Sequence, residues 1–122
     1  MNATSQVRNN AVLYSLLVLV TKYRRKALSS EMREHLRTIL AETLEQWRCE
    51  LVEFGGESDH IHLLFLAHPA FGLSKLVNNL KTASSRLLRG AFAKEIRRLY
   101  GNQSYGMQPI MSERWGGHRS KQ

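Results

Sequence analysis

The sequence predicts an α+β fold, with one antiparallel sheet carrying its helices on a single face. Two observations carry this expectation. Two short runs, residues 12–20 and 60–67, are dense in Val, Ile, Leu and aromatic residues and read as strands. Two longer segments, residues 31–48 and 74–89, instead repeat their apolar residues at helical spacing. With a shorter strand at 50–54 the order becomes β-α-β-β-α, a split β-α-β arrangement that needs one further strand after its second helix.

Each element has its own justification. Residues 1–10 are polar and read as a tail. The run VLYSLLVLV that follows is apolar at both parities, as in a central strand covered on both faces. Ser29 or Ser30 can cap the first helix, and Glu31 suits the positive end of its dipole. Met32, Leu36, Ile39, Leu40, Thr43, Leu44 and Trp47 form its buried stripe, while Glu34, Arg37, Glu45 and Arg48 fall on the solvated side. Gly55 and Gly56 read as a turn. Strand alternation over 60–67 puts His60, His62, Leu64 and Leu66 on one face and Ile61, Leu63, Phe65 and Ala67 on the other. Pro69 and Gly72 mark a loop, and Ser74 can cap the second helix. Leu76, Val77, Leu80, Ala83, Leu87 and Leu88 give that helix an apolar stripe; Lys75, Asn78, Thr82, Ser85, Arg86 and Arg89 give it a polar, basic face. A helical pattern resumes over 91–100 after a break at Gly90. Beyond residue 101 glycines and Pro109 interrupt every period. Only residues 106–111 can supply the fourth strand, weakly and at a sheet edge, because proline donates no ladder hydrogen bond. The expected organisation is a tail at 1–10, one domain at 11–100 and an atypical segment at 101–122.

Composition narrows the function. A chain of 122 residues, 43% hydrophobic, holds one core. Eighteen Lys and Arg against ten Asp and Glu leave a formal charge of +8, which points to a polyanionic partner. The single cysteine, Cys49, excludes a disulfide framework and a cysteine-based zinc site and is expected in the core. The first ten residues lack the apolar centre of a secretion signal, and the longest apolar run, residues 11–20, is about half of what crosses a bilayer. A cytoplasmic protein without a membrane partner is expected.

Three features carry candidate chemistry. His60 and His62 project from one strand face about 7 Å apart at Cα, so their rings can converge on one ion. The competing reading is a pair of half-buried histidines satisfied by hydrogen bonds. Asp59 can orient one ring as an acceptor, or simply serve the turn. Lys22, Tyr23, Arg24, Arg25 and Lys26 follow the first strand; they suit phosphate contacts with Tyr23 stacking on a base, or form a solvated loop. Lys75, Arg86 and Arg89 extend the basic character along the second helix.

Taken together, LVLVTKYRRKAL (17–28), SDHIHLL (58–64) and LSKLVNNLKTASSRLLRGAF (73–92) resemble the single-tyrosine HUH transposases of the insertion-sequence-200/insertion-sequence-605 family. The resemblance covers about residues 12–100. It implies a ferredoxin-like fold, a homodimer, and recognition of hairpin and single-stranded DNA. It also implies cleavage and rejoining of DNA through a 5′-phosphotyrosine, with His60 and His62 holding a divalent metal, Mg²⁺ or Mn²⁺, that polarises the scissile phosphate.

The sequence departs from that family in two places. The first strand carries Tyr14-Ser15 where the family has an aromatic-His pair. The family's nucleophile lies on a C-terminal helix in a pattern like Tyr-Ile-x-x-Gln, which is absent from these 122 residues. Tyr100 and Tyr105 are weak substitutes. Back-translated in shifted frames, residues 105–118 read close to the family's strand before that helix, as after a small insertion or deletion near codon 100. The expectation is a transposase-family protein inactive alone, able to pair with a full-length homologue. The alternative is a non-catalytic ferredoxin-like nucleic-acid-binding module. That alternative leaves His60 and His62 unexplained, and the strands lack the paired aromatics of a sheet-surface RNA binder.

Overall fold

The computed structural model describes residues 12–67, 72–103 and 105–117. Strand β1 (Val12–Thr21) runs into a single 3₁₀ turn (Lys22–Arg24) and helix α1 (Ser30–Gln46). The hairpin β2 (Glu50–Glu57) and β3 (His60–Ala67) follows, then helices α2 (Leu73–Ala91) and α3 (Ala93–Tyr100), and last β4 (Met107–Gly117). The four strands form one antiparallel sheet in the order β2-β3-β1-β4. This is the ferredoxin-like arrangement, with the two central strands contributed by the two most apolar runs.

Ser29 caps α1, its hydroxyl accepting from the Met32 amide at 3.2 Å. Met32, Leu36, Leu40 and Leu44, one per turn, are then buried. They meet Leu76, Leu80 and Leu88 of α2, Ile96 and Tyr100 of α3, and the inward side chains of the sheet: Leu17 and Leu19 from β1, Ile61, Leu63 and Phe65 from β3. Cys49 is a free thiol at the margin of this core, and burial pushes its pKa up.

Several expectations are corrected. β1 is central but covered on one face only: Leu17 and Leu19 are buried, whereas Leu16 and Val18 are half-buried on the face that carries no helix. Gly55 and Gly56 do not turn the chain; they lie inside β2, and Ser58-Asp59 forms the turn. Ser74 does not cap α2, because the helix starts at Leu73 with Gly72 as its cap, which puts the serine past the capping position. The break between α2 and α3 falls at Phe92 (φ −121°, ψ 37°), two residues after Gly90. Phe92 is buried, and its ring packs perpendicular to that of His35 with centroids 5.3 Å apart, so the bend coincides with a packed position. Ser85, placed on the polar face by the sequence pattern, is buried, and its hydroxyl accepts from the Met107 amide at 3.0 Å.

The fourth strand is an edge strand, as Pro109 requires, but it runs to Gly117. Its register against β1 shifts between Val18 and Leu19, with Pro109 opposite Leu19. A bulge beside the proline is how an edge strand accommodates a missing donor. The Lys22 amide donates to Gly106 O at 3.0 Å and Arg89 Nη1 to Tyr105 O at 3.3 Å, so the entrance to β4 is tied to both β1 and α2. The expected tail at 1–10 lies outside the described residues, as does Pro69.

One core polar group goes unused. The Ser15 hydroxyl, fully buried opposite Phe65, has no hydrogen-bond partner among the described residues. Removing such a group relieves a desolvation cost of about 1–3 kcal/mol. Ser15→Ala is therefore expected to raise the unfolding free energy by about 1 kcal/mol in urea titration; a loss of stability would mean that the hydroxyl is satisfied in solution.

Candidate metal centre and nucleic-acid surface

His60 and His62 stand on the helix-free face of β3, because strand alternation sends Ile61 and Leu63 into the core. β1 supplies the neighbours on one side, with Val20 opposite His60 and Val18 opposite His62; β2 supplies Glu57 and Gly55 on the other. Both imidazoles line an open cleft of about 440 Å³ with Leu16, Val18, Val20 and Arg24. The sequence pairing of His60 with His62 is thus kept in space, and Arg24 of the basic run joins them.

Asp59 acts on this pair from the turn. Its Oδ1 lies 2.9 Å from His60 Nδ1, and its Oδ2 lies 3.9 Å from Arg24 Nε. The hydrogen bond to His60 holds the Asp59 carboxyl below the usual carboxylate range, and Arg24 adds a smaller pull in the same direction. An ionised carboxylate only accepts, so the proton sits on His60 Nδ1 and, in the neutral ring, the Nε2 lone pair is left for a ligand.

Gly55 seats the second ring. A Cβ built on Gly55 would lie 2.7 Å from His62 Cε1 and 2.8 Å from Nε2, so the imidazole lies directly against the β2 backbone. Sequence reasoning missed this residue by assigning the glycine pair to a turn.

The donor set fits half of a divalent-metal site. Two imidazoles face one open cleft, and one of them is oriented by a carboxylate. Among the described residues no group of three or more His, Cys, Asp or Glu converges, so the two imidazoles would be only part of an ion's ligand set. Two imidazoles alone bind hard ions such as Mg²⁺ or Mn²⁺ poorly, so a third ligand and a DNA phosphate would be needed to complete such a site.

The remaining sequence candidates divide. Lys22, Tyr23, Arg24 and Arg25 cluster at the same end of the sheet, and Arg25 Nη2 donates to Gln103 Oε1 at 2.7 Å while Nη1 donates to Leu99 O. Lys26 is exposed beside them. Lys75, Arg86 and Arg89 are exposed on α2, which packs on the other face, and none lines the histidine cleft. Arg89 instead joins Arg97, Gln103 and Tyr100 around a separate cleft of about 310 Å³. Arg97 and Gln103 carried no motif that would have marked them. Tyr100 and Tyr105 are buried: the Tyr100 hydroxyl donates to Lys22 O at 2.7 Å and the Tyr105 hydroxyl to Met107 Sδ at 3.0 Å. Burial pushes both phenol pKa values upward, Tyr105 the further. No helix among the described residues is long and apolar enough to cross a membrane.

A sequence model of the IS200-like transposases matches residues 10–113. The ISDra2 transposase TnpA of Deinococcus radiodurans is 32% identical over 93 residues, 73% of this chain and 66% of that protein. The transposase for insertion sequence element IS200 of Salmonella typhimurium is 30% identical over 89 residues, 73% of this chain and 58% of its own length. The chain therefore spans about three fifths to two thirds of these relatives. Among solved structures, a Deinococcus radiodurans protein described as a transposase superposes with a TM-score of 0.65 at 32% identity, covering 81% of this chain and 78% of that one. A REP-associated tyrosine transposase bound to a REP hairpin shares the fold, with a TM-score of 0.50 at 12% identity over 93% of this chain and 59% of that one. With the family's sequence pattern running through β1, β3 and α2 and the same fold around it, this chain belongs to the IS200-like transposase family.

Proposed function

We propose that this chain binds hairpin or single-stranded DNA in DNA transposition, and that His60 and His62 hold a divalent cation, Mg²⁺ or Mn²⁺, against a phosphodiester. The single observation that carries the reading is the pair of rings sharing one open cleft, with Asp59 fixing the tautomer of His60. Such a cation would supply Lewis-acid polarisation of the phosphate for strand cleavage and rejoining through a 5′-phosphotyrosine. The protein's own groups do the rest. Asp59 keeps Nε2 of His60 available, Gly55 fixes the height of His62, and Arg24 brings positive charge to the cleft where a phosphate would lie. Leu16, Val18 and Val20 form the apolar wall of the cleft.

Neither Tyr100 nor Tyr105 is the attacking group in this proposal. Both hydroxyls are buried, hydrogen-bonded and raised in pKa, the opposite of an activated nucleophile. In this reading a full-length homologue supplies the attacking tyrosine across a dimer.

Mn²⁺ titration in the presence of hairpin DNA tests the reading. His60→Ala/His62→Ala is expected to weaken Mn²⁺ binding by more than about tenfold, and Asp59→Asn by about tenfold. The wild-type chain alone should give no covalent DNA adduct, and should give one when a full-length homologue is added. Unchanged Mn²⁺ binding in the double variant would favour a binding module without metal chemistry.

A further inference from the structure

We propose that Tyr23 is a stacking platform for one unpaired base of single-stranded DNA. The proposal rests on the DNA reading above and not on its metal step.

The backbone at this point is unusual. Tyr23 and Arg24 are consecutive non-glycine residues in the left-handed region, with φ of 62° and 52°. L side chains enter that region at a cost, and they persist there only where surrounding contacts impose it. Those contacts are present. The Thr21 hydroxyl donates to Arg25 O at 2.6 Å, closing the turn from inside. The Tyr100 hydroxyl donates to Lys22 O at 2.7 Å, and Arg25 is anchored on Leu99 O and Gln103. Two elements distant in sequence thus hold one tight turn in a disfavoured shape.

The turn does not bury what it displays. Tyr23 is 60% exposed. The ring is nevertheless stiffly mounted. The Arg25 guanidinium lies against both neighbouring aromatics, 5.5 Å from the Tyr23 centroid and 4.9 Å from that of Tyr100, and Lys22 Nζ lies 5.7 Å from the Tyr23 centroid. The result is an exposed aromatic with cations around it, the combination that holds single strands by stacking bases and neutralising phosphates. Its neighbour Arg24 lines the histidine cleft, so the exposed ring and the cleft are served by one turn. A base can reach the ring only when it is not paired, which selects single-stranded over duplex DNA.

The test is fluorescence anisotropy with a labelled oligodeoxythymidylate and a duplex of the same length. EDTA and a fixed salt concentration keep the metal site out of the measurement. Tyr23→Gly is expected to weaken single-strand binding about tenfold or more, to leave duplex binding unchanged, and to melt no lower than wild type, since glycine adopts positive φ freely. Tyr23→Phe keeps the stacking face and should bind within about twofold of wild type. Wild-type affinity in Tyr23→Gly would overturn the platform while leaving the DNA reading intact. An equal loss on both DNAs with a lower melting temperature would overturn it in favour of a brace for Arg25. A wild-type protein that binds no single strand would sink the DNA reading and the platform together.

Discussion

Gly55→Ala is expected to fold with near-wild-type stability and to lose divalent-metal binding by about tenfold or more. The argument turns on which atoms the new methyl group meets. At Gly55 the three nearest are Cε1, Nε2 and Nδ1 of the His62 ring, all side-chain atoms. A side-chain ring on a rotatable stem can swing aside, and the cleft it faces is open. The sheet therefore keeps its register, and alanine removes some of glycine's unfolded-state freedom, which offsets the cost of the new rotamer. Stability should change by less than about 1 kcal/mol. On the metal reading proposed above, the swung ring would no longer share an ion with His60, and misplacing one of two protein ligands would cost affinity much as removing it does. Mn²⁺ titration and a urea melt on the same sample separate the two effects. Tight Mn²⁺ binding by the alanine variant would show that His62 is not held by Gly55.

The role of Gly55 shows how legible this fold was and where legibility ended. The two central strands announced themselves because nearly every residue in them is apolar, and α1 because its stripe repeats once per turn behind a serine cap. His60 and His62 were readable as a pair because strand alternation alone puts them on one face. The partner of His62 was not readable while Gly55-Gly56 counted as a turn. Had Ser58-Asp59 been taken as the two-residue turn, pairing outward from it would have matched Glu57 with His60 and Gly55 with His62. The far end of the chain hid for a different reason. β4 is an edge strand, its pattern is broken by a proline and a bulge, and its entrance is fixed by contacts from Ser85, Arg89 and Lys22 that no local period records. The left-handed turn at Tyr23-Arg24 was equally silent, since non-glycine residues carry no sequence mark of positive φ.

Gly56→Ala, one residue further on, is expected to cost on the order of 3–5 kcal/mol of stability, from backbone strain and overpacking together. Here the added methyl would meet the main chain of β3: His60 O at 2.4 Å and Ile61 Cα at 2.7 Å. Neither atom can rotate away. Ile61 is fully buried in the core, so β3 cannot retreat, and β2 must lift from it near the turn. The φ of Gly56, +155°, is also one that L side chains rarely adopt, so the strain persists even where space is found. The whole fold of a domain this size is worth about 5–15 kcal/mol, so a large share is lost at one position. In urea the midpoint should fall with little change in slope, because the lifting of β2 is confined to the turn and most of the surface exposed on unfolding is the same. Retention of the wild-type midpoint would mean that β2 lies farther from β3 than these contacts require. Adjacent glycines in one strand thus fail in different currencies: the first through a ring that moves and a metal that leaves, the second through a backbone that cannot move at all.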